Sequence, residues 1–209
     1  MADNLPRLQL ARQAQGFARA RGSRLPALVF FTDDGRVRDP LPSIRALPRG
    51  SMVVLRARDA ERRRELARTI AAIARERGLV WIIAGDPHLA WATQADGVHF
   101  AERMIALAAH WRALRPHWLI TCAAHSLAAC ARASRAGADA IFLAPVFPTQ
   151  SHAGRDFLGP VRACFVASRF SAPLYALGGI DAHSARRLRG GRFSGLAAIS
   201  ALEVDRTQR

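Results

Sequence analysis

The chain has 209 residues, half of them hydrophobic, and a formal net charge of +15. This length and composition exclude a largely disordered chain, and no apolar run reaches the roughly 18 residues of a membrane span. Every basic residue is arginine, which excludes Schiff-base chemistry on a lysine and a Walker-type phosphate loop.

The excess of arginine allows two interpretations. Binding to nucleic acid is one, and it rests on charge alone. The arginines are spread over the whole length, however, and residues 62–64 stand beside Glu61 and Glu65 in a helical pattern, which favours a solvated helix face. The three cysteines form no CxxC pair and are expected to be buried thiols in a reducing cytoplasm (Cys122, Cys130, Cys164). No signal-peptide pattern opens the chain, so we expect a cytoplasmic protein without a membrane partner.

The N-terminal residues predict a basic amphipathic helix over 5–21. Leu5, Leu8, Ala11, Gln15 and Ala18 recur at helical spacing. We expect this face to pack on the rest of the protein.

Short apolar runs and helical patterns then alternate to the end of the chain. The predicted strands are 28–33, 51–56, 79–83, 96–100, 118–122, 140–143, 173–177 and 195–199. The predicted helices are 40–47, 59–77, 87–93, 103–114, 126–136, 160–168 and 181–189. Strands without a period of two predict a parallel sheet covered by helices, and a count of eight favours a closed (β/α)₈ TIM barrel over an open doubly wound sheet.

The end of the chain predicts a missing or rudimentary last helix, because only nine residues follow Ser200. Either the N-terminal helix fills that place or a partner subunit does, in a homo-oligomer. The expected organisation is a basic helix over 1–25, a barrel over 26–203 and a tail over 204–209.

The loops after strands seven and eight are the expected phosphate site, since such barrels hold phosphate there. Gly178 and Gly179 let backbone N–H groups approach an anion, and Ser200 ends the last strand. Thr149 and Ser151, in the loop after strand six, add hydroxyl donors.

Six segments in this order resemble the thiamine phosphate synthase family, which also includes thiazole tautomerases. They are Ala95-Asp-Gly-Val-His99, Ala124-His-Ser126, Ala136-Gly-Ala-Asp139, Pro145-Val-Phe-Pro-Thr149, Gly178-Gly-Ile180 and Ile199-Ser-Ala201. The resemblance covers about residues 26–203. It implies a TIM barrel that joins a pyrimidine methyl diphosphate to a thiazole phosphate, with Mg²⁺ on the departing diphosphate.

The resemblance implies that one side of the site is retained. The loop that touches the thiazole phosphate matches Thr149, Gln150 and Ser151, and the phosphate cradle matches Gly179, Ile199 and Ser200.

The diphosphate side departs from the family pattern. Arg56 matches the family's arginine on strand two, and Arg58 stands where the family has a lysine. The Asn-Asp pair after strand three falls on Ala84-Gly85, and the second metal Asp on Met104. The position of the family's serine on strand five is occupied by Ala123.

The sixth loop also departs from the pattern. His152 stands where the family has a lysine, and Pro145 stands where the tautomerases have a histidine. Asp86 and Glu102 lie one and two residues from the lost metal ligands and are the candidate substitutes for holding Mg²⁺. His99 and His125 also lie in family motifs; we expect structural histidines there.

Two readings of function therefore stand side by side. In the first, the barrel binds thiazole phosphate and transfers the pyrimidine methyl group, with Arg56, Arg58 and His152 as the catalytic residues. In the second, it is a catalytically degenerate barrel that binds or senses a phosphorylated thiazole or thiamine-type ligand without a cofactor. Nucleic-acid binding is the third alternative.

Overall fold

Eight short parallel strands close into a barrel in the computed structural model, which describes residues 5–35, 39–149 and 156–204. The strands are β1 Leu28–Phe31, β2 Met52–Leu55, β3 Val80–Ala84, β4 Gly97–Phe100, β5 Leu119–Ala124, β6 Ala140–Leu143, β7 Leu174–Ala176 and β8 Gly195–Ala198. Each pairs in parallel with the next, and Val29 opposite Ala197 joins β1 to β8. The predicted TIM barrel is confirmed.

Helices follow most strands and cover the outside of the barrel. They are α1 Leu5–Arg21, α2 Leu41–Arg45, α3 Ala60–Arg77, α4 Pro87–Ala92, α5 Ile105–Leu114, α6 Leu127–Arg135 and α7 Gly159–Ser168. Short 3₁₀ helices span Glu102–Met104, Ser184–Leu188 and Ser200–Leu202. No helix in the described residues combines the length and hydropathy needed to span a membrane.

Helix α3 shows why the sequence defines some elements sharply. The side chain of Asp59 accepts a hydrogen bond from the backbone N–H of Arg62 and caps the first turn. Gly78 ends the helix with φ of 61°, a left-handed conformation that glycine adopts without strain. Leu66 and Ile70 lie on the buried face. Both ends were predicted because both caps are visible in the sequence.

Helix α1 lies on the barrel wall beside β1 and β8, where the described residues form no α-helix after β8. The ring of Phe17 packs edge-on against that of Phe193, with centroids 6.3 Å apart. The side-chain amide of Gln13 donates to the carbonyl of Ala182 at 3.0 Å, and Arg21 donates to the carbonyl of Phe170 at 2.8 Å. The N-terminal helix therefore fills the gap.

The predicted contact face of α1 is right at Ala11 and Ala18, which are buried, and wrong at Leu5, Leu8 and Gln15. The face that packs on the barrel consists of Leu10, Ala11, Ala14, Phe17 and Ala18. The side chains of Leu5 and Leu8 are largely exposed, and that of Gln15 is exposed. Burying the ring of Phe17 removes far more apolar surface from water than burying Gln15, and this sets the rotation of the helix.

The helix predicted over 181–189 is a short 3₁₀ helix instead. Asp181 does act at its start, since its carboxylate accepts the N–H groups of His183 at 2.8 Å and Ser184 at 2.7 Å. The helical bonds end at Leu188, and Gly190 follows with φ of 83°. So short a segment gains too few hydrogen bonds to extend into a regular α-helix.

Side chains alternate between the outer wall and the barrel interior along each strand. The interior is filled by aromatic and aliphatic side chains, with Phe31, Phe142 and Tyr175 at its centre. The ring of Phe142 lies 4.9 Å from that of Phe31 and 5.1 Å from that of Tyr175. The hydroxyl of Tyr175 donates to the carbonyl of Pro26 at 2.9 Å. The filled interior leaves the carboxyl ends of the strands as the place for a site.

Candidate functional site

His99 marks the top of the filled interior. It is almost fully buried, its ring lies edge-on to Phe31 and Phe142, and its Nδ1 lies 2.9 Å from the hydroxyl of Thr121. Burial lowers the pKa of His99 to about 3, with a further contribution from the positive charge of Arg56. The ring is therefore neutral at neutral pH and is a hydrogen-bonded core side chain.

Arg56 stands at the mouth of the barrel, paired with a residue that sequence reasoning missed. Its guanidinium forms an ion pair with the carboxylate of Asp33. The hydroxyl of Thr32 accepts the N–H of Arg56 at 2.8 Å and donates to its carbonyl at 3.0 Å. Asp33 comes just after β1, and Arg56 comes directly after β2. Because neighbouring parallel strands end at the same edge of the barrel, these two positions in the sequence could have predicted the ion pair.

Arg58 is fixed through a backbone hydrogen bond, and its side chain is exposed. Its N–H donates to the carboxylate of Asp34 at 2.7 Å, so both acidic residues after β1 fasten the end of β2. The charge of Arg56 is largely balanced by Asp33, whereas the guanidinium of Arg58 lies in solvent.

Gly85 and Met104 are neighbours in space, as the resemblance implies for two metal-ligand positions. A Cβ placed on Gly85 would stand 4.0 Å from the sulfur of Met104. Two carboxylates at these positions would face each other, which is the arrangement that holds Mg²⁺ between oxygen ligands. Glycine has no side-chain ligand, and a thioether is too soft for magnesium.

The candidate substitutes for those ligands are engaged in structural contacts. Asp86 caps α4 by accepting the N–H of Leu89 at 3.0 Å, and its other oxygen lies 3.5 Å from the guanidinium of Arg63. Glu102 accepts the N–H of His125 and a guanidinium N–H of Arg132, both at 2.8 Å.

No group of three or more His, Cys, Asp or Glu side chains in the described residues could hold a metal ion. The residues present at the mouth therefore do not fit the magnesium site of the family.

A cavity of about 470 Å³ opens on the other side of the mouth. Its walls come from the loop after β6, the glycine turn after β7 and the segment that follows β8. They are formed by Pro148, Thr149, Leu177, Gly178, Gly179, Ile180, Asp181, Ala198, Ile199, Ser200 and Ala201. This volume suits a small ligand. The structure thus brings Thr149, Gly178, Gly179, Ile199 and Ser200 around one space.

The glycine turn is shaped by the loop that packs on it. A Cβ on Gly178 would stand 2.8 Å from the Cα of Pro145, and one on Gly179 only 2.5 Å from the carbonyl oxygen of Pro148. The N–H of Val146 donates to the carbonyl of Leu177, and that of Phe147 to the carbonyl of Gly178. Only glycine allows this approach, so the two loops form one wall of the cavity.

Backbone donors around the cavity are free to meet an anion. Within the described residues, the N–H groups of Gly179, Ser200 and Ala201 make no hydrogen bond. The carboxylate of Asp181 is already used by the N–H groups of His183 and Ser184. Neutral donors of this kind bind a phosphate without a metal ion.

The remaining predicted site residues can be placed only in part. Gln150, Ser151 and His152 lie outside the described residues. Ala123 is half-buried on β5. Just after β5, the ring Nδ1 of His125 lies 2.5 Å from the carbonyl oxygen of Ala144. Sequence reasoning did not find the role of Asp33.

These features define the class of protein as a TIM barrel with a cavity for a small ligand at the carboxyl ends of β6, β7 and β8. The family model described as "Thiamine monophosphate synthase" matches residues 28–202. The chain belongs to this family.

Relatives of known name cover most of the chain. It is 34% identical over 182 residues to the thiamine-phosphate synthase of Chlorobium luteolum, and 85% of each chain is covered. It is 32% identical over 151 residues to the putative thiamine-phosphate synthase 2 of Aquifex aeolicus, with 71% of this chain and 81% of the relative covered.

A solved structure shows the same fold. The thiamine phosphate pyrophosphorylase of Pyrococcus furiosus superposes with a TM-score of 0.72 at 25% identity. The superposition covers 83% of this chain and 85% of that one.

Proposed function

We propose that this chain binds the thiazole phosphate of the family's reaction, or a phosphate monoester of similar shape, in the cavity between Thr149, Gly179 and Ser200, without a metal ion. The observation that carries this proposal is the convergence of those residues, from three separate loops, on one space of about 470 Å³. The sequence resemblance assigns the same residues to the phosphate of the thiazole.

The chemistry of the cavity supports a monoester more than a diphosphate. Its donors are backbone N–H groups and hydroxyls, and no lysine or arginine is found among the described residues of its lining. Such dipoles suffice for one phosphate, because each N–H points its positive end at the anion. The high net charge of the protein adds a long-range attraction for anions.

The diphosphate side gives weaker support for chemistry. Negative charge grows on a departing diphosphate, and cations must stabilise it. Gly85 and Met104 supply no ligand for magnesium, and Asp33 already neutralises much of the charge of Arg56. The proposed role is therefore that of a thiamine-biosynthesis barrel that holds or senses a phosphorylated thiazole.

Transfer of the pyrimidine methyl group is the second candidate function. It is favoured by the position of Arg56 at the mouth, half-exposed, at a family position for steadying the diphosphate. Arg58 and His152 would assist in this reaction. Release of pyrophosphate from pyrimidine methyl diphosphate and thiazole phosphate tests it, and a variant Arg56→Gln should abolish any release. Release by the wild-type protein would establish the transferase and refute the purely binding role.

Calorimetric titration with thiazole phosphate tests the proposed site. The variant Ser200→Asp places a carboxylate at the exposed edge of the cavity and should weaken binding at least about tenfold through charge repulsion. Ser171→Asp makes the same change of charge at an exposed position outside the cavity and should leave the affinity within about twofold. Equal affinity in wild type and Ser200→Asp would show that the phosphate does not occupy this cavity.

A further inference from the structure

A second groove lies apart from the strand ends, between α1 and the segment that links the 3₁₀ helix Ser184–Leu188 to β8. Its volume is about 870 Å³. Among the residues that the structure describes, five arginines and no acidic residue line it: Arg12, Arg21, Arg186, Arg189 and Arg192. We refer to it as the arginine groove.

The charges of the arginine groove lack internal compensation. Elsewhere, Arg56, Arg63 and Arg112 each have a carboxylate partner. None of the five groove arginines forms an ion pair within the described residues. Like charges held together destabilise the folded protein, and an anion between them would remove that repulsion.

The groove is preformed, with an apolar floor. The guanidinium of Arg21 is held by the carbonyls of Phe170 at 2.8 Å and Ser171 at 2.9 Å, and the rings of Phe17 and Phe193 meet edge-on between the walls. No atom of the described residues stands within 4 Å of a Cβ placed on Gly16, so the space above that residue is open to them.

We propose that the arginine groove binds a small organic polyphosphate with a planar ring, such as a nucleoside triphosphate. Guanidinium groups on both walls match several phosphates, and arginine also stacks on planar rings. Gln9, exposed at the groove, supplies an amide that recognises ring heteroatoms. The volume lies within the range of small-molecule sites, whereas a nucleic acid needs a longer track. This site is independent of the phosphate cavity proposed above.

Titration with ATP, ADP and AMP tests the groove. The affinity should fall in that order, because each lost phosphate removes charge-assisted bonds. The double variant Arg189→Gln with Arg192→Gln should lose at least about tenfold in affinity for ATP. The double variant Arg64→Gln with Arg68→Gln changes the net charge equally on the exposed face of α3 and should bind ATP as wild type does.

A variant at Gly16 tests the same site without removing an arginine. Gly16→Glu places a carboxylate in the open space and should weaken ATP binding at least about tenfold. Gly16→Ala is the matched control; it should retain binding, and it should not destabilise the helix, because alanine favours helix over glycine.

Three results would overturn the proposal. They are no saturable binding of ATP, equal losses in the groove and α3 variants, and affinity for an unrelated oligonucleotide that exceeds that for ATP and grows with its length.

Discussion

Gly85 and Met104 leave the mouth of the barrel without two hard oxygen ligands for magnesium. Their identities alone indicate that magnesium ligands are missing, and their contact in space agrees with that reading. The Asp33–Arg56 pair was not foreseen, because an ion pair depends on where two side chains end and not on their order in the chain. Asp86 and Glu102 looked suitable by proximity in sequence, yet local capping and ion pairs engage both.

Restoring the two carboxylates should restore a response to magnesium. The double variant Gly85→Asp with Met104→Asp should gain thermal stability on addition of Mg²⁺, because the ion binds only the folded state. Gly85 has φ of 70°, which aspartate tolerates better than most residues, and the space at its Cβ is open.

The matched control replaces the same two residues with asparagine and should not respond. A melting temperature of the wild-type protein that rises with Mg²⁺ as much as that of the aspartate variant would contradict the loss of the site.

His99 should make stability depend on pH. Its folded pKa of about 3 lies below the value of 6.5 expected in the unfolded chain, so the unfolded state binds more protons. The stabilising contribution is complete above pH 6.5 and is lost as the pH falls towards 3. Between these limits the free energy of unfolding should fall by about 1.4 kcal/mol per pH unit from this group.

Urea unfolding at several pH values from 7 to 4 measures this dependence. The variant His99→Asn keeps a polar partner for Thr121 but does not titrate, so its stability should fall less steeply than that of the wild type. Charged groups near the ring are Arg56 and its partner Asp33, and both remain in the variant. Parallel pH profiles for the two proteins would refute this role of His99.

The glycine turn after β7 should not tolerate a side chain. Gly179→Ala combines φ of 63° with a Cβ only 2.5 Å from the carbonyl of Pro148, so it should destabilise the fold and displace the loop that lines the cavity. Gly22→Ala has nearly the same φ, 64°, with nothing near its Cβ, and should lose only about 1 kcal/mol. Chemical unfolding measures both. Equal losses would mean that the loop contact contributes nothing.

At the scale of elements, the boundaries of α3 were predictable, whereas the contact face of α1 was predictable only at Ala11 and Ala18. The caps of α3 are local, since Asp59 and Gly78 act on their own turns. The face of α1 depends on the barrel it meets, and α1 offers apolar residues on more than one side. Periodicity alone favoured Leu5 and Leu8, whereas packing against Phe193 selected Leu10 and Phe17.

Two leucines of α1 test that contact face. Leu10 is fully buried, so Leu10→Ala should lower the free energy of unfolding by about 2–5 kcal/mol through lost burial and a cavity. Leu8 is 44% exposed, and Leu8→Ala should change stability by only a fraction of a kcal/mol. Equal effects in chemical unfolding would show that α1 does not dock as described.

At the scale of the whole molecule, eight apolar runs were enough to predict a closed parallel barrel. Each strand is buried on both faces, and the pattern of short strand and covering helix repeats along the chain. The distribution of charge was not predictable in the same way. Arginines scattered in sequence meet in the arginine groove only because α1 packs beside β8 and the segment that precedes it.

We propose a barrel whose mouth keeps its phosphate side and has lost its magnesium side. Calorimetric titration of the wild-type protein with thiazole phosphate, once in EDTA and once in Mg²⁺, tests this most directly. We predict saturable binding with the same Kd in both solutions, because the donors around the cavity are backbone N–H groups and hydroxyls. Binding that requires Mg²⁺, or no binding in either solution, would contradict it.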